Sequence, residues 1–209
     1  MKTTNQSSGK KNSVKDRVRL PFFFDTEKMI KEYEDLGLGP FTYYSAVPLR
    51  GPDHIVDPSL PMPPPSDNYA DGSWTDWLDT PILKESPYLK SVIDTFADNA
   101  QVTLVRLLRL AAGSTVKEHT DPTLGLHIAK SVIRLTVPII SKKDVTFYLN
   151  GTAVPMLPGE CWYMRLTDPH KVVNAGPTER VNLTIDLQPN KWVRALVAEA
   201  EKADAVPIG

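Results

Sequence analysis

The stretch that decides the fold class is residues 131–187, SVIRLTVPIISKKDVTFYLNGTAVPMLPGECWYMRLTDPHKVVNAGPTERVNLTIDL. Short segments rich in Val, Ile, Thr and aromatic residues alternate there with turn signals such as LNG, PG and NAGPTE, a pattern typical of antiparallel strands. Segments 102–110 and 115–121 have the same character, so eight strand-like segments occupy residues 101–188. No helix-length amphipathic run interrupts them. The pattern predicts a mainly β fold built on an antiparallel jelly-roll barrel.

Helices are predicted on both sides of this barrel. Residues 25–37, DTEKMIKEYEDLG, place apolar residues at helical spacing between a capping Asp25 and a terminating Gly37. Residues 86–99, SPYLKSVIDTFADN, predict a second helix, and KWVRALVAEAEKA near the C-terminus predicts an amphipathic third. The class is therefore α+β in composition, with flanking helices around a β core.

The domain division follows from these patterns. Residues 1–18 are polar and predict a disordered leader, and residues 19–209 predict a single domain. Within that domain we expect three parts. They are a helical and proline-rich substrate-side region (19–100), the β-barrel core (101–188) and a C-terminal helical segment (189–209).

A proline-rich segment, residues 51–72, separates the first two predicted helices. Its sequence, GPDHIVDPSLPMPPPSDNYADG, is too rich in Pro, Asp and Gly for long regular structure. Long connections in compact domains are commonly functional loops, so this segment is interpreted as a lid over a binding site, with an excursion that does not contact the site as the alternative.

Charge and composition restrict the function classes. The 209 residues carry a formal net charge of −1, so no field of one sign favours nucleic acid or a membrane surface. No apolar run is long enough to cross a bilayer, and the first 18 residues have no apolar signal region. Cys161 is the only cysteine, which fits a reducing compartment. We expect a cytoplasmic protein that acts on a small molecule, with no prediction of its oligomeric state.

Candidate metal ligands occur at two places in the barrel sequence. His119 and Asp121 lie two residues apart, which places them on one face if the segment is a strand. His170 follows 51 residues after His119, and an antiparallel barrel can return a later strand beside an earlier one. Two histidines and one carboxylate occupy one face of an octahedral ion and leave three positions open, the set that suits a non-haem Fe(II) oxygenase. An ordinary pair of strand residues is the alternative.

Arg180 opens the last predicted strand, ten residues after His170. The planar guanidinium is suited to bidentate binding of a carboxylate. The alternative is a surface arginine that pairs with Glu179 or Asp186.

Six segments in this order, HTD, IRLTVPI, VTFYLNG, PGECWYM, PHKVVNAG and ERVNLTID, resemble the aspartyl/asparaginyl β-hydroxylase family, which includes bacterial free-proline hydroxylases. The resemblance implies a double-stranded β-helix and an Fe(II)- and 2-oxoglutarate-dependent dioxygenase that consumes O2 and hydroxylates an unactivated C–H bond. By the resemblance, His119, Asp121 and His170 hold the iron, and Arg180 binds the far carboxylate of 2-oxoglutarate. The family's R-x-H motif, which helps to bind the cosubstrate, reads here as Arg134 and Thr136.

Four further residues are candidate substrate contacts. Arg109 and Arg165 are charged residues within apolar strand patterns, so each is a candidate to point into the barrel toward an anionic substrate. Trp74 and Trp77 belong to GSWTDWLDTPIL, which with FTYYSAVPLRG resembles the substrate-side segments of small-molecule hydroxylases. Packing against the core is the alternative for both tryptophans. The expected substrate is an amino acid or a derivative.

Two other functions remain open at this stage. Gly113 precedes His119 by six residues, and His170 with Asn174 matches the H-x3-N ending of a cupin motif, which would indicate a metalloenzyme without 2-oxoglutarate. A barrel that binds a ligand without catalysis is the second alternative.

Overall fold

The computed structural model describes residues 15–64 and 71–203, whose strands form two antiparallel sheets. In chain order the strands are β1 (Arg17–Phe23), β2 (Tyr44–Pro52), β3 (Trp77–Asp79), β4 (Val102–Leu110), β5 (Thr115–His119), β6 (Ile133–Ile140), β7 (Val145–Leu149), β8 (Thr152–Val154), β9 (Glu160–Met164), β10 (His170–Asn174) and β11 (Arg180–Leu187). The larger sheet has the order β1-β9-β6-β11-β4-β2-β3, and the smaller has the order β5-β10-β7-β8. This mainly β, antiparallel architecture confirms the predicted fold class.

All eight strands predicted from residue 101 onward are present as β4 to β11. The helical and proline-rich interpretation of residues 19–100 is incomplete, because that region also contributes β1, β2 and β3 to the larger sheet. The sequence pattern does not predict β2 because it contains Pro48 and Pro52, and proline has no backbone N–H to donate to a neighbouring strand. The sheet accommodates Pro48 at a register shift, between Pro48 and Arg50, opposite β4.

The predicted leader ends too late by two residues. β1 begins at Arg17, which pairs with Met164 of β9, and Val18 is fully buried. The sequence misses this because the strand follows a run of polar and basic residues without a turn signal. The rest of the predicted leader, residues 1–14, lies outside the described residues.

Five helices occur in the described parts of the chain: α1 (Thr26–Asp35), α2 (Asp53–Val56), α3 (Pro81–Lys84), α4 (Pro87–Ala97) and α5 (Lys191–Ala203). The three long ones confirm the predicted helices. Asp25 caps α1 as expected, because its Oδ1 accepts hydrogen bonds from the backbone N–H groups of Glu27 and Lys28. None of the helices in these parts of the chain is long and apolar enough to cross a bilayer.

The two faces of the larger sheet have different roles. In β11, Val181, Leu183 and Ile185 belong to the main apolar core, where the partners include residues of α1, α4 and α5. Successive side chains of a strand point to opposite faces, so Arg180, Asn182, Thr184 and Asp186 point the other way, into the space enclosed with the smaller sheet. A second apolar cluster lines that space. The whole of β11 is buried, yet one of its faces is polar, and this polar face positions the site.

The start of the proline-rich segment is anchored to the chain that follows it. Residues 51–52 complete β2, and α2 follows at once. The backbone N–H of Asp53 donates to the carbonyl of Asp76, and the Thr75 hydroxyl donates to the Asp53 carboxylate. Residues 65–70 lie outside the described residues. Closure of this segment as a lid remains a prediction.

Candidate metal centre

The three predicted metal ligands come together at one end of the smaller sheet. His119 is the last residue of β5 and His170 the first of β10, and the two are paired across these antiparallel strands. Asp121 follows β5 by two residues, and its backbone N–H donates to the carbonyl of Leu166. The two histidines are 51 positions apart in the sequence, and strand pairing brings them together.

The separations within this set suit one bound ion. The histidine ring centroids are 4.2 Å apart, and Nε2 of His170 lies 3.9 Å from Oδ2 of Asp121. One donor atom from each of the three residues lies within 4.8 Å of the other two. Two imidazole nitrogens and one carboxylate oxygen on one side of an ion are a donor set suited to Fe(II) with further positions open.

Hydrogen bonds hold both imidazoles with Nε2 toward the cluster. Nδ1 of His119 lies 2.7 Å from the carbonyl oxygen of Lys117, and Nδ1 of His170 lies 2.9 Å from that of Asp168. A carbonyl only accepts, so each Nδ1 carries the hydrogen and each Nε2 keeps its lone pair. This arrangement fixes ring orientation and tautomer before any metal arrives.

The two histidines differ in their surroundings. His170 is buried and stacks on Phe147 at a centroid distance of 5.8 Å. Burial lowers the pKa of His170, with the neighbouring His119 contributing in the same direction, which favours the neutral ring that a metal requires. His119 is exposed on the edge strand β5, so the cluster is closed on the His170 side and open on the other.

Arg180 lies in the same enclosed space as the cluster. A cavity of about 90 Å³ is lined by all three candidate ligands and by Arg180, Thr136 and Tyr44. Neither carboxylate proposed as its alternative partner pairs with Arg180, since Glu179 accepts from Arg109 and Asp186 accepts from Arg134. Within the described residues no carboxylate forms an ion pair with Arg180, and burial lowers its pKa to about 10. A buried cation facing a cavity without a counter-ion is a binding site for an anion.

Arg134 and Thr136 both face this cavity but differ in their contacts with the rest of the protein. Arg134 donates from Nε and Nη2 to the two oxygens of Asp186 at 2.7 and 2.8 Å, and its Nη1 lies 3.5 Å from Oδ2 of Asp121. Its main partner is thus a carboxylate of the protein, and its weaker contact orients a candidate metal ligand. Thr136 is buried opposite Thr184 of β11 and presents a hydroxyl where the related motif has an imidazole.

A larger cavity, of about 380 Å³, lies on the other side of Asp121 and Arg134. Trp74 and Trp77 line it, with ring centroids 6.2 Å apart in an edge-to-face arrangement. Nε1 of Trp77 donates to the carbonyl of Gly72 at 2.7 Å. Both tryptophans therefore form part of the wall of this cavity. Their contact with a substrate remains a prediction.

The two arginines proposed to face the substrate lie elsewhere. Arg109 donates to Glu179 and to the carbonyl of Gly39, and its guanidinium lies 4.0 Å from the ring centroid of Phe41. Arg165 follows β9 and pairs with Asp168 at 2.7 Å. Neither lines either cavity beside the cluster, so their proposed inward orientation is wrong.

The arginine of β4 that does face a cavity, Arg106, was missed because the strand carries two. Residues of β4 with odd numbers, such as Val105 and Leu107, belong to the main core, and Arg109 shares their face. Arg106 and Leu108 lie on the cavity face, opposite Thr184 and Asn182 of β11. Sequence alternation alone does not separate the two arginines, because Arg106 shares its parity with Val102, Leu104, Leu108 and Leu110.

Comparison with known proteins agrees with this geometry. A family model for the aspartyl/asparaginyl beta-hydroxylases matches residues 73–189, more than half of the chain. The chain belongs to this family. L-proline cis-4-hydroxylase of Rhizobium meliloti (strain 1021) is 23% identical over 125 residues, 60% of this chain and 44% of that protein. The match thus spans less than half of the relative's length.

Solved structures show the same fold. A 2OG-Fe(II) oxygenase family oxidoreductase from Burkholderia pseudomallei has a TM-score of 0.51 and 13% identity, over 83% of this chain and 84% of that one. The viral collagen prolyl hydroxylase vCPH from Paramecium Bursaria Chlorella virus-1, in complex with 2OG, has a TM-score of 0.50 and 10% identity, over 85% and 97% of the two chains. At these identities the likeness concerns the fold alone.

The residue that ends the cupin-like motif lies outside the metal cluster. Asn174, the end of the cupin-like spacing, is buried and donates from its side chain to the carbonyls of Leu110, Ala111 and Thr178. It satisfies backbone groups at the end of β10 and has no place in the metal cluster. Membership of the beta-hydroxylase family favours the hydroxylase interpretation.

Proposed function

We propose that this beta-hydroxylase family member is an Fe(II)- and 2-oxoglutarate-dependent dioxygenase that uses O2 to hydroxylate an unactivated C–H bond of a small molecule, an amino acid or a derivative. The observation that carries the proposal is the cavity shared by His119, Asp121, His170 and Arg180, which has no carboxylate partner among the described residues. A metal-ligand set with open positions and a buried anion-binding group in one enclosure are the two parts that such an enzyme needs.

The proposed division of labour follows from the contacts. His119, Asp121 and His170 hold the ion, and Lys117 and Asp168 orient the imidazoles through their carbonyls. Arg180 binds the far carboxylate of the cosubstrate, with Thr136 as a hydroxyl partner in the same cavity. Bound ferrous iron and 2-oxoglutarate together supply, with O2, the oxidising power that no side chain has.

The enclosure also excludes water from the reacting centre. Leu108, Phe147, Met164, Leu166 and Val172 surround the candidate ligands and Arg180 with apolar surface. A dry site strengthens the ion pair between Arg180 and a carboxylate, and it protects reactive species from side reactions with solvent. The strands β5, β6, β10 and β11 carry all the residues proposed to bind, except Asp121.

The nature of the substrate rests on two further observations. The relative from Rhizobium meliloti is named for hydroxylation of L-proline, a free amino acid. The cavity of about 380 Å³ beside Asp121 falls within the range of small-molecule sites. A catalytically inactive binding barrel would have no need for two imidazoles with oriented Nε2 atoms.

The test is anaerobic binding of Fe(II) and 2-oxoglutarate, followed by the weak visible charge-transfer band that chelation produces. The band is expected in wild type and in R19A, whose arginine is half-exposed on the outside of the barrel. It is expected to be lost in H170A, and in R180A at limiting cosubstrate. Fe(II) binding without a band in wild type would exclude 2-oxoglutarate as the cosubstrate, and absence of metal binding would overturn the proposal altogether.

A further inference from the structure

Arg106 lines the larger cavity and makes no side-chain hydrogen bond or ion pair within the described residues. Its Nε is shielded from solvent and has no hydrogen-bond partner. A shielded donor of this kind costs stability unless something binds to it, because water no longer solvates the group and no protein atom replaces the water. A protein can keep such an unsatisfied donor where a bound ligand supplies the missing hydrogen-bond acceptor.

Apart from Arg180, the other described arginines that are buried or half-buried have protein partners. Arg50 pairs with Asp79, Arg109 with Glu179, Arg134 with Asp186 and Arg165 with Asp168, and Arg194 donates to the carbonyl of Leu126. Arg106 and Arg180 alone, among the described residues, face a cavity without a carboxylate partner. The two cavities meet at Asp121 and Arg134, which line both. Each side of the metal cluster therefore has one guanidinium available to an anion.

The surroundings of Arg106 favour an anion over a neutral ligand. Burial and the adjacent positive charge of Arg134 both lower the pKa of Arg106. Asp186 and Asp121 offset this in part, but Asp186 is bound bidentately by Arg134 and Asp121 is a candidate metal ligand. A carboxylate that enters the cavity would neutralise the repulsion between the two guanidinium groups.

The opposite wall of this cavity is aromatic and rigid. Trp74 packs edge-to-face on Trp77, and Trp77 is anchored by its hydrogen bond to Gly72. Gly72 has φ +72, and a Cβ there would lie 2.6 Å from Cγ2 of Thr103, so glycine is required for this approach. The cavity lining thus includes a cation, the Asp121 carboxylate of the metal cluster, and the rings of two tryptophans.

We propose that Arg106 binds the carboxylate of the substrate, which is therefore a small carboxylic acid of amino-acid size, held against the Trp74 and Trp77 rings with its aliphatic carbon toward the metal ligands. This assignment rests on the proposed function. It gives separate ligands to the two arginines that face a cavity without a carboxylate partner among the described residues. Arg180 binds the cosubstrate and Arg106 binds the substrate.

The experiment uses the Fe(II)- and 2-oxoglutarate-loaded protein without oxygen and a panel of the common free L-amino acids, with L-proline first, and their amides. Binding is measured as perturbation of the charge-transfer band and, independently of the band, as a rise in melting temperature. At least one amino acid is expected to bind wild type, and its amide, which lacks the carboxylate charge, is expected to bind at least about 30-fold more weakly.

R106Q is expected to weaken binding of the same amino acid by about 30-fold or more, whereas R106K, which keeps the charge but loses the fork, falls between. Neither variant should lower the melting temperature of the ligand-free protein, since Arg106 has no side-chain partner to lose among the described residues, and both should bind 2-oxoglutarate as wild type does. R19Q serves as the control on the outside of the barrel and should match wild type in its binding of 2-oxoglutarate and of the amino acid.

Three outcomes would overturn the assignment: an amide that binds as tightly as its acid, amino-acid binding unchanged in R106Q, or no binding of any panel member to wild type by either readout. Loss of the 2-oxoglutarate band in R106Q would also overturn it, because Arg106 would then belong to the cosubstrate site. Absence of the band in wild type would instead refute the proposed function, and the melting-temperature series would still decide the role of Arg106.

Discussion

Replacement of Arg180 by methionine is expected to make the ligand-free protein more stable while it abolishes the response to 2-oxoglutarate. Burial lowers the pKa of Arg180 by more than two units, to about 10. Each pKa unit corresponds to about 1.36 kcal/mol, so keeping this side chain charged costs the folded state about 3 kcal/mol at neutral pH. The cost is present at every pH below about 10. It diminishes as the pH rises above about 10, where the unfolded chain binds more protons and stability therefore rises with pH.

Methionine has a similar length and no charge, so it removes this cost. It also removes the hydrogen bond that Nη2 of Arg180 donates to the Asn182 side chain when the amide oxygen faces it, a loss of about 1 kcal/mol. The net gain is about 2 kcal/mol, which for a chain of this size raises the melting temperature by about 4–8 °C.

The assay is thermal unfolding of wild type and R180M, each with and without 2-oxoglutarate in the presence of Fe(II) and the absence of oxygen. Wild type should gain about 3 kcal/mol at a cosubstrate concentration of about 100 times its Kd. R180M should start higher and gain nothing. A variant that melts below wild type and is still stabilised by 2-oxoglutarate would show that Arg180 is a structural residue with a partner, and the reasoning from its burial would be refuted.

Three further substitutions test the fold around the site by urea unfolding. D186N leaves the buried Arg134 without its bidentate carboxylate and should cost about 3 kcal/mol, whereas a loss under about 1 kcal/mol would mean that the pair is not the main support of Arg134. G159A places a side chain on a residue at φ +86 whose Cβ would lie 2.6 Å from the carbonyl oxygen of Phe24, so it should cost about 2–3 kcal/mol. Its control, G39A, meets nothing within 4 Å and should change stability by less than about 0.5 kcal/mol; equal effects of the two would remove the steric argument. D25A deletes the cap of α1 and should cost about 1 kcal/mol, and an unchanged unfolding midpoint would show that solvent replaces the cap.

The strands of the barrel and the three long helices could be predicted from the sequence because their signals are local. Alternating apolar residues and turn dipeptides mark β4 to β11, and an aspartate before an amphipathic run marks α1. The first three strands could not be predicted. β2 carries two prolines and β3 has only three residues, so β2 depends on its pairing with β4, and β3 depends on its pairing with β2.

The candidate site also has one part that the sequence predicts and another part that only the tertiary structure decides. The sequence shows the residue types and the order of His119, Asp121, His170 and Arg180, because a short spacing and the start of a strand can be recognised along the chain. Only the tertiary structure brings His170 to His119, through the pairing of β10 with β5. Only the register of β11 between β4 and β6 decides which arginines face the cavities. A strand turns alternate side chains to opposite faces, so Arg106 enters the cavity and Arg109, three residues later, joins Glu179 on the other face.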